Sequence, residues 1–224
     1  MVLSHLVFDG RHPWVRRDLA DPHEMHRTVM SAFPDVPDGS ARVVHGVLFR
    51  IERGGLEPVV LVQSRSVPDW ERLADRGLRS AQQREIELGG LQLEEGRRLR
   101  FRLEANPTRK VSRVRDDGSI APQGRRVELT SDAARIDWLV RRGQLGGFVL
   151  APVVEDAAVP DVQVSVLPKR MSRRRSDAIT VRAVRFDGHL VVTSRDALLE
   201  TIRHGIGPAK AYGCGLLSVG APLA

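Results

Sequence analysis

The stretch Asp21–Phe33 (DPHEMHRTVMSAF) constrains this chain most, because it specifies one helix and marks both of its ends. Asp21 is placed to cap the first turn, Pro22 suits the first helical position, and Glu24 stands three residues after the cap to complete a capping box. Pro34–Gly39 (PDVPDG) stops the helix with prolines and turn formers. At 3.6-residue spacing Met25, Val29, Ala32 and Phe33 share one arc, so they form the buried stripe. His23 and His26 then fall beside that stripe, next to Arg27. Imidazoles so placed are either packing residues or proton-transfer groups acting on a phosphate ester, and the helix alone leaves both open.

The segments around this helix set the fold class. Val2–Phe8 is a short apolar run that reads as a first strand, followed by a basic loop with Arg11, Arg16 and Arg17 around Trp14. Val43–Glu52 and Pro58–Gln63 are β-branched runs joined by Arg53, Gly54 and Gly55, a hairpin pattern. Asp69–Leu78 reads as a short helix, and Arg97–Ala105 (RRLRFRLEA) alternates as a half-buried strand does. Strand, helix, hairpin, helix, strand is the ferredoxin-like order, used by many RNA-binding domains. The second half repeats it: helix at Ser131–Arg142, strands at Phe148–Val154, Val162–Leu167 and Ile179–Val184, an Asp187-Gly188 turn into Leu190–Val192, helix at Arg195–Ile202, and a last strand at Leu216–Val219. The expectation is an α+β protein of two tandem ferredoxin-like (RRM-like) βαββαβ domains, at 1–106 and 127–224, with a basic connection over 107–126.

A net charge of +7 points to an acidic partner, nucleic acid ahead of membrane surface. The single Cys214 excludes an internal disulfide and disfavours a cysteine zinc site, consistent with a reducing cytoplasm. No run has the length of a membrane span or the form of a signal peptide, so no membrane partner is expected. Asp, Glu and His form no compact cluster at metal spacing, so the expectation is no metal and no cofactor.

Three further stretches carry binding chemistry. The connection holds Arg109, Lys110, Arg113, Arg115, Arg125 and Arg126 among small residues. Lys169–Arg175 (KRMSRRR) gathers Lys169, Arg170, Arg173, Arg174 and Arg175 at a hairpin tip, a finger suited to the phosphate-lined major groove of an A-form stem. Gly205–Gly215 (GIGPAKAYGCG) brings Gly205, Gly207, Gly213 and Gly215 together around Lys210; such a loop either lets amides approach a phosphate or permits close packing of the last helix and strand.

These elements in this order (the DPHEMHRT helix, FRLEANPTRK near the middle, a basic hairpin, and GIGPAKAYGCGLLSV at the end) resemble the CasE family, the CRISPR repeat-processing endoribonucleases of type I-E systems. The resemblance runs from Met1 to the terminus. It implies two ferredoxin-like domains and cleavage of precursor CRISPR RNA at the base of a repeat stem-loop. It also implies that the mature guide stays bound while the protein joins the other subunits of the type I-E effector complex. The family's catalytic helical histidine falls on His26, and the position of a helper tyrosine is taken here by His23. For such a cut His26 either takes the proton from a ribose 2′-hydroxyl or donates to the leaving 5′-oxygen, with Arg27 and Lys210 as donors to the phosphoryl oxygens. A non-catalytic RNA-binding subunit of the same complex is the alternative expectation; a metal-dependent nuclease is disfavoured.

Overall fold

The computed structural model describes residues 1–37, 40–52, 55, 57–112, 125–154, 158–174 and 177–222. In the first half β1 (Val2–Phe8) leads to α1 (Pro13–Ala20), α2 (Pro22–Met30) and a single-turn α3 (Ala41–Val44). Then follow β2 (Leu48–Glu52), β3 (Val59–Ser64), a 3-10 segment (Trp70–Arg76) and β4 (Leu78–Glu85). The strands form one antiparallel sheet in the order β2-β3-β1-β4, the ferredoxin-like arrangement. The stripe of α2 works as its spacing requires. Met25, Val29, Ala32 and Phe33 are all buried against Leu6, Phe8, Phe49, Val60 and Val62 of the sheet, each worth roughly 1.5–3 kcal/mol for the larger side chains.

The second half begins with β5 (Arg98–Ala105), then the hairpin β6 (Thr108–Val111) and β7 (Arg125–Glu128). After these come α4 (Asp132–Leu145), β8 (Phe148–Leu150) and β9 (Val162–Val166). A second hairpin, β10 (Arg170–Arg174) and β11 (Asp177–Val181), leads to β12 (Val184–Val192), α5 (Arg195–His204) and β13 (Leu217–Gly220). The second sheet runs β13-β5-β12-β8, with β9 on the same edge of β12 as β8. Ser131 and Ser194 cap α4 and α5 through the amides of Ala134 and Ala197. A core of Leu99, Phe101, Leu103, Trp138, Phe148, Phe186, Leu190 and Leu198 lies beneath.

Several sequence expectations are corrected. Arg98–Ala105, read as the closing strand of 1–106, pairs with β12 and β13, so the change of sheet falls between Glu85 and Arg98. The strand that closes the first sheet is β4, whose residues LRSAQQRE are exposed after Leu78 and so show no apolar alternation. The 107–126 connection consequently lies inside the second half, where Thr108–Val111 pairs with Arg125–Glu128. The basic segment after β1 is helical, with Pro13 at its first turn and Val15 buried. The run from Val43 to Glu52 opens in α3 and becomes a strand only at Leu48. Asp187 and Gly188 make no turn. They continue β12, where a Cβ on Gly188 would stand 2.1 Å from the Asp161 carbonyl oxygen, so the glycine serves close approach of a neighbouring strand.

The two sheets are joined by buried polar groups. Arg50, 2% exposed, binds Glu52 at 2.6 Å and donates to the carbonyls of Arg102 and Leu216. Arg102 in turn bridges Glu52 (3.1 Å) and Asp187 (2.6 Å). Gln63 donates to the carbonyl of Ile202 at 2.8 Å, which ties β3 to the last turn of α5.

Candidate active site

Helix α2 starts where the sequence places it, with a difference in its cap. The Asp21 carboxylate accepts from the amide of His23 at 2.8 Å. Glu24 does not complete a capping box; its carboxylate pairs with Arg17 and Arg27, both at 3.3 Å. That pairing turns Arg27 along the helix surface, where its side chain is exposed and held by Glu24. Arg17 is likewise engaged, by the buried Asp18 at 2.6 Å and by the Trp14 ring beneath its guanidinium. Arg16 is exposed on α1.

One turn into α2, His26 is half-buried at the meeting of the two halves, since α2 packs on β10 and on the 3-10 turn Lys210–Tyr212. Its ring lies parallel to that of Phe49 on β2, 6.5 Å between centroids and 14° from coplanar. Burial is the main cause of a lowered pKa, with His23 and Arg42 adding positive charge nearby; together they take His26 from its ordinary 6.5 to about 4. The imidazole is therefore neutral at pH 7. Its Nδ1 is buried without a hydrogen-bond partner among the described residues. His23 is half-buried one turn before it.

The glycine-rich loop packs on α2 and β2 through its 3-10 turn, Lys210–Tyr212. Gly205, Gly207, Gly213 and Gly215 all have left-handed φ values, and so does Ala209 at 64°. Two of them show why side chains are excluded. A Cβ on Gly205 would meet the Gly215 carbonyl oxygen at 2.6 Å and Leu48 at 2.8 Å, and one on Gly213 would meet the Phe49 ring at 3.1 Å. The loop is pressed onto β2, directly by the aromatic that stacks on His26. Lys210 is half-buried in this loop, and burial first, then the charges of Arg42 and Arg142, lowers its pKa. No carboxylate pairs with Lys210 or Arg42 among the described residues.

The other sequence-selected cations divide. Arg170, 7% exposed, donates to the Tyr212 carbonyl at 2.9 Å and so braces the hairpin against the glycine loop. Lys169 is exposed at the foot of the hairpin, and Arg109 and Lys110 are exposed on β6. Arg173 and Arg174 lie on β10, which pairs in register with β11; Arg175 lies outside the described residues, as do Arg113 and Arg115. Most of the charged run, Arg170–Arg174, is thus a paired strand rather than a tip alone. Sequence reasoning passed over Arg42, Phe49 and Arg142. Arg42 stood at the margin of a run read as a strand, and only its place in α3 puts it near His26.

The family model described as CRISPR associated protein matches residues 1–221. The CRISPR-associated endoribonuclease Cse3 of Thermus thermophilus is 39% identical, over 98% of this chain and 99% of that protein. The CRISPR system Cascade subunit CasE of Escherichia coli is 32% identical, over 91% and 93%. A solved structure of Thermus thermophilus Cse3 bound to an RNA representing a pre-cleavage complex superposes with a TM-score of 0.75, at 36% identity over 98% of both chains. The chain belongs to the CRISPR associated protein family.

Proposed function

We propose that this protein is a metal-independent endoribonuclease that cuts precursor CRISPR RNA at the base of a repeat stem-loop and then retains the mature guide as a subunit of an effector complex. The similarity to an endoribonuclease and to a Cascade subunit supports both parts of this reading. The observation that carries it is His26: a neutral imidazole, stacked on Phe49, between two sheets and beside cations that meet no carboxylate among the described residues. Its place of action is the cytoplasm, in keeping with a single, buried cysteine.

In this mechanism the neutral His26 accepts the proton of the ribose 2′-hydroxyl. The freed oxygen attacks the adjacent phosphorus, and the bond to the 5′-oxygen breaks to leave a 2′,3′-cyclic phosphate. Low basicity in the free protein keeps His26 ready to accept at neutral pH; the negative charge of a phosphate arriving beside it raises its pKa and strengthens it as a base. Lys210 stabilises the charge that grows on the phosphoryl oxygens, and His23 supplies the proton to the departing 5′-oxygen. Arg27, committed to Glu24, binds the RNA strand rather than the reacting phosphate. Lys169, Arg173, Arg174 and Arg175 of the hairpin grip the stem, with Arg16, Arg17, Arg109 and Lys110 as further backbone contacts. Arg170 holds the hairpin in place. The glycine loop, Gly205 to Gly215, keeps the cleft narrow.

The test is cleavage and binding of a labelled repeat RNA by His26→Ala in one sample. Loss of cleavage by about 10²–10⁴-fold with binding retained is expected. A variant that cuts at the parental rate overturns the assignment, and a parent protein that binds without cutting identifies a guide-holding subunit instead.

A further inference from the structure

Arg42 takes no part in the mechanism above, yet it is half-buried and its charge acts on His26. It lies on the single turn α3, Ala41–Val44, which leads through His45, Gly46 and Val47 into the strand that carries Phe49. The turn is anchored at both ends of that link: the Val47 amide donates to the Arg42 carbonyl at 2.9 Å, and the Arg42 guanidinium leans on the Val47 carbonyl at 3.5 Å. Val47 is buried and stands two residues before Phe49, the ring beneath His26 and against Gly213. The guanidinium therefore sits at the foot of the strand that carries Phe49, and the 3-10 turn that carries Lys210 packs on this same strand and on α2; the positive charge of Arg42 acts on both His26 and Lys210.

This is an arrangement a folded protein does not keep for stability. Arg42 and Lys210 are both half-buried, both lose hydration, repel one another, and meet no carboxylate among the described residues. Elsewhere the chain pairs its buried guanidiniums: Arg50 with Glu52, and Arg185 with Glu104. A desolvated cation left without a counter-ion is costly. Two of them, one from α3 and one from the glycine-rich loop that packs on α2, leave a place for an anion from outside, and a guanidinium fork suits two phosphate oxygens at once.

We propose that Arg42 is a phosphate-binding residue of the cleavage site, which holds the scissile phosphate together with Lys210 from opposite domains of the fold. It rests on the reading of His26 as the cleavage site. Arg42 supplies the first half's contribution, Lys210 that of the second, so a phosphate bound by both also locks the two halves around the RNA. The long contact to Val47 is exchanged for the phosphate when substrate enters.

The test uses uncleavable repeat RNA with a 2′-deoxy sugar at the scissile position, in two forms: a normal phosphate or a neutral methylphosphonate at the scissile linkage. With the phosphate, Arg42→Ala is expected to bind about ten-fold more weakly than the parent. With the methylphosphonate, parent and variant bind alike, because the partner charge is gone. An equal loss on both RNAs, or no loss on either, overturns the proposal, the first by showing that Arg42 serves the turn or another phosphate. Arg42→Gln, which keeps a donor for Val47, gives the same comparison should the alanine variant fold poorly. Binding is read without cleavage, so failure of this proposal is distinct from failure of the assignment of His26.

Discussion

The interface between the two sheets and the site beside His26 both hold cations partly or wholly withdrawn from solvent, and they treat them in opposite ways. At the interface Arg50, Arg102, Glu52 and Asp187 form a network in which every charge is met. Burial raises the Glu52 pKa, but Arg50 and Arg102 more than offset it and hold the carboxyl below its ordinary value. At the site Arg42 and Lys210 meet no carboxylate among the described residues, and His26 is held neutral. The difference teaches which of this chain's many basic residues serve the fold and which wait for a ligand: count decides nothing, and pairing decides much. Arg17, Arg27 and Arg170 each already have a partner within the protein, so RNA held by Arg17 and Arg27 competes with those pairs and gains less from them than from Arg42 and Lys210.

The comparison breaks most sharply at Arg50. Replacing it with alanine leaves Glu52 to Arg102 alone, removes the donor to the carbonyls of Arg102 and Leu216 and empties the junction of the sheets, and a loss of about 3–5 kcal/mol is expected in denaturant unfolding. A loss below about 1 kcal/mol means that the network adds no more than a surface ion pair does. Lys210→Ala is expected to do the reverse, with single-turnover cleavage about 10²–10³-fold slower and the unfolding midpoint unchanged or raised. A lowered midpoint with normal cleavage turns Lys210 into a structural residue.

A smaller effect is expected in the hairpin. Alanine at Arg173, Arg174 and Arg175 together weakens binding of the stem-loop and flattens its salt dependence, by roughly 0.7–0.9 in log–log slope for each phosphate no longer neutralised. A slope equal to that of the parent places the stem elsewhere. Arg170→Ala, by contrast, loosens the hairpin from the Tyr212 carbonyl and shows itself in thermal unfolding before it shows in the slope.

The smallest effect is in pH. Because His26 is near 4 when folded and near 6.5 when unfolded, the unfolded chain binds more protons between those values. Stability is therefore full above pH 6.5 and falls as the pH drops toward 4, and the His26→Ala variant loses that part of the slope. Equal slopes in parent and variant mean that His26 is solvated.

Much of this was legible in the sequence, for reasons that particular residues make plain. The arc of Met25, Val29, Ala32 and Phe33 could bury itself only against a sheet, and it does. The β2–β3 hairpin follows from two β-branched runs joined by glycines. What resisted reading was whatever depends on long-range pairing. Strand β4 has no apolar face to betray it. Arg98–Ala105 alternates correctly, but alternation does not say which sheet a strand will join. In the site, His26 and the glycine loop stand out by spacing and composition. Arg42 does not, since a lone arginine near a β-branched run looks like any surface charge until the loop of Lys210 folds back beside it.

The most direct measurement is incubation of the purified protein, in excess chelator, with a labelled repeat RNA and with the same RNA carrying a 2′-deoxy substitution 5′ of the cut. Cleavage of the first to a 2′,3′-cyclic phosphate product, with the second bound but intact, is the predicted result. Cleavage of the deoxy RNA, or activity that disappears with the chelator, contradicts attack by the 2′-hydroxyl through His26.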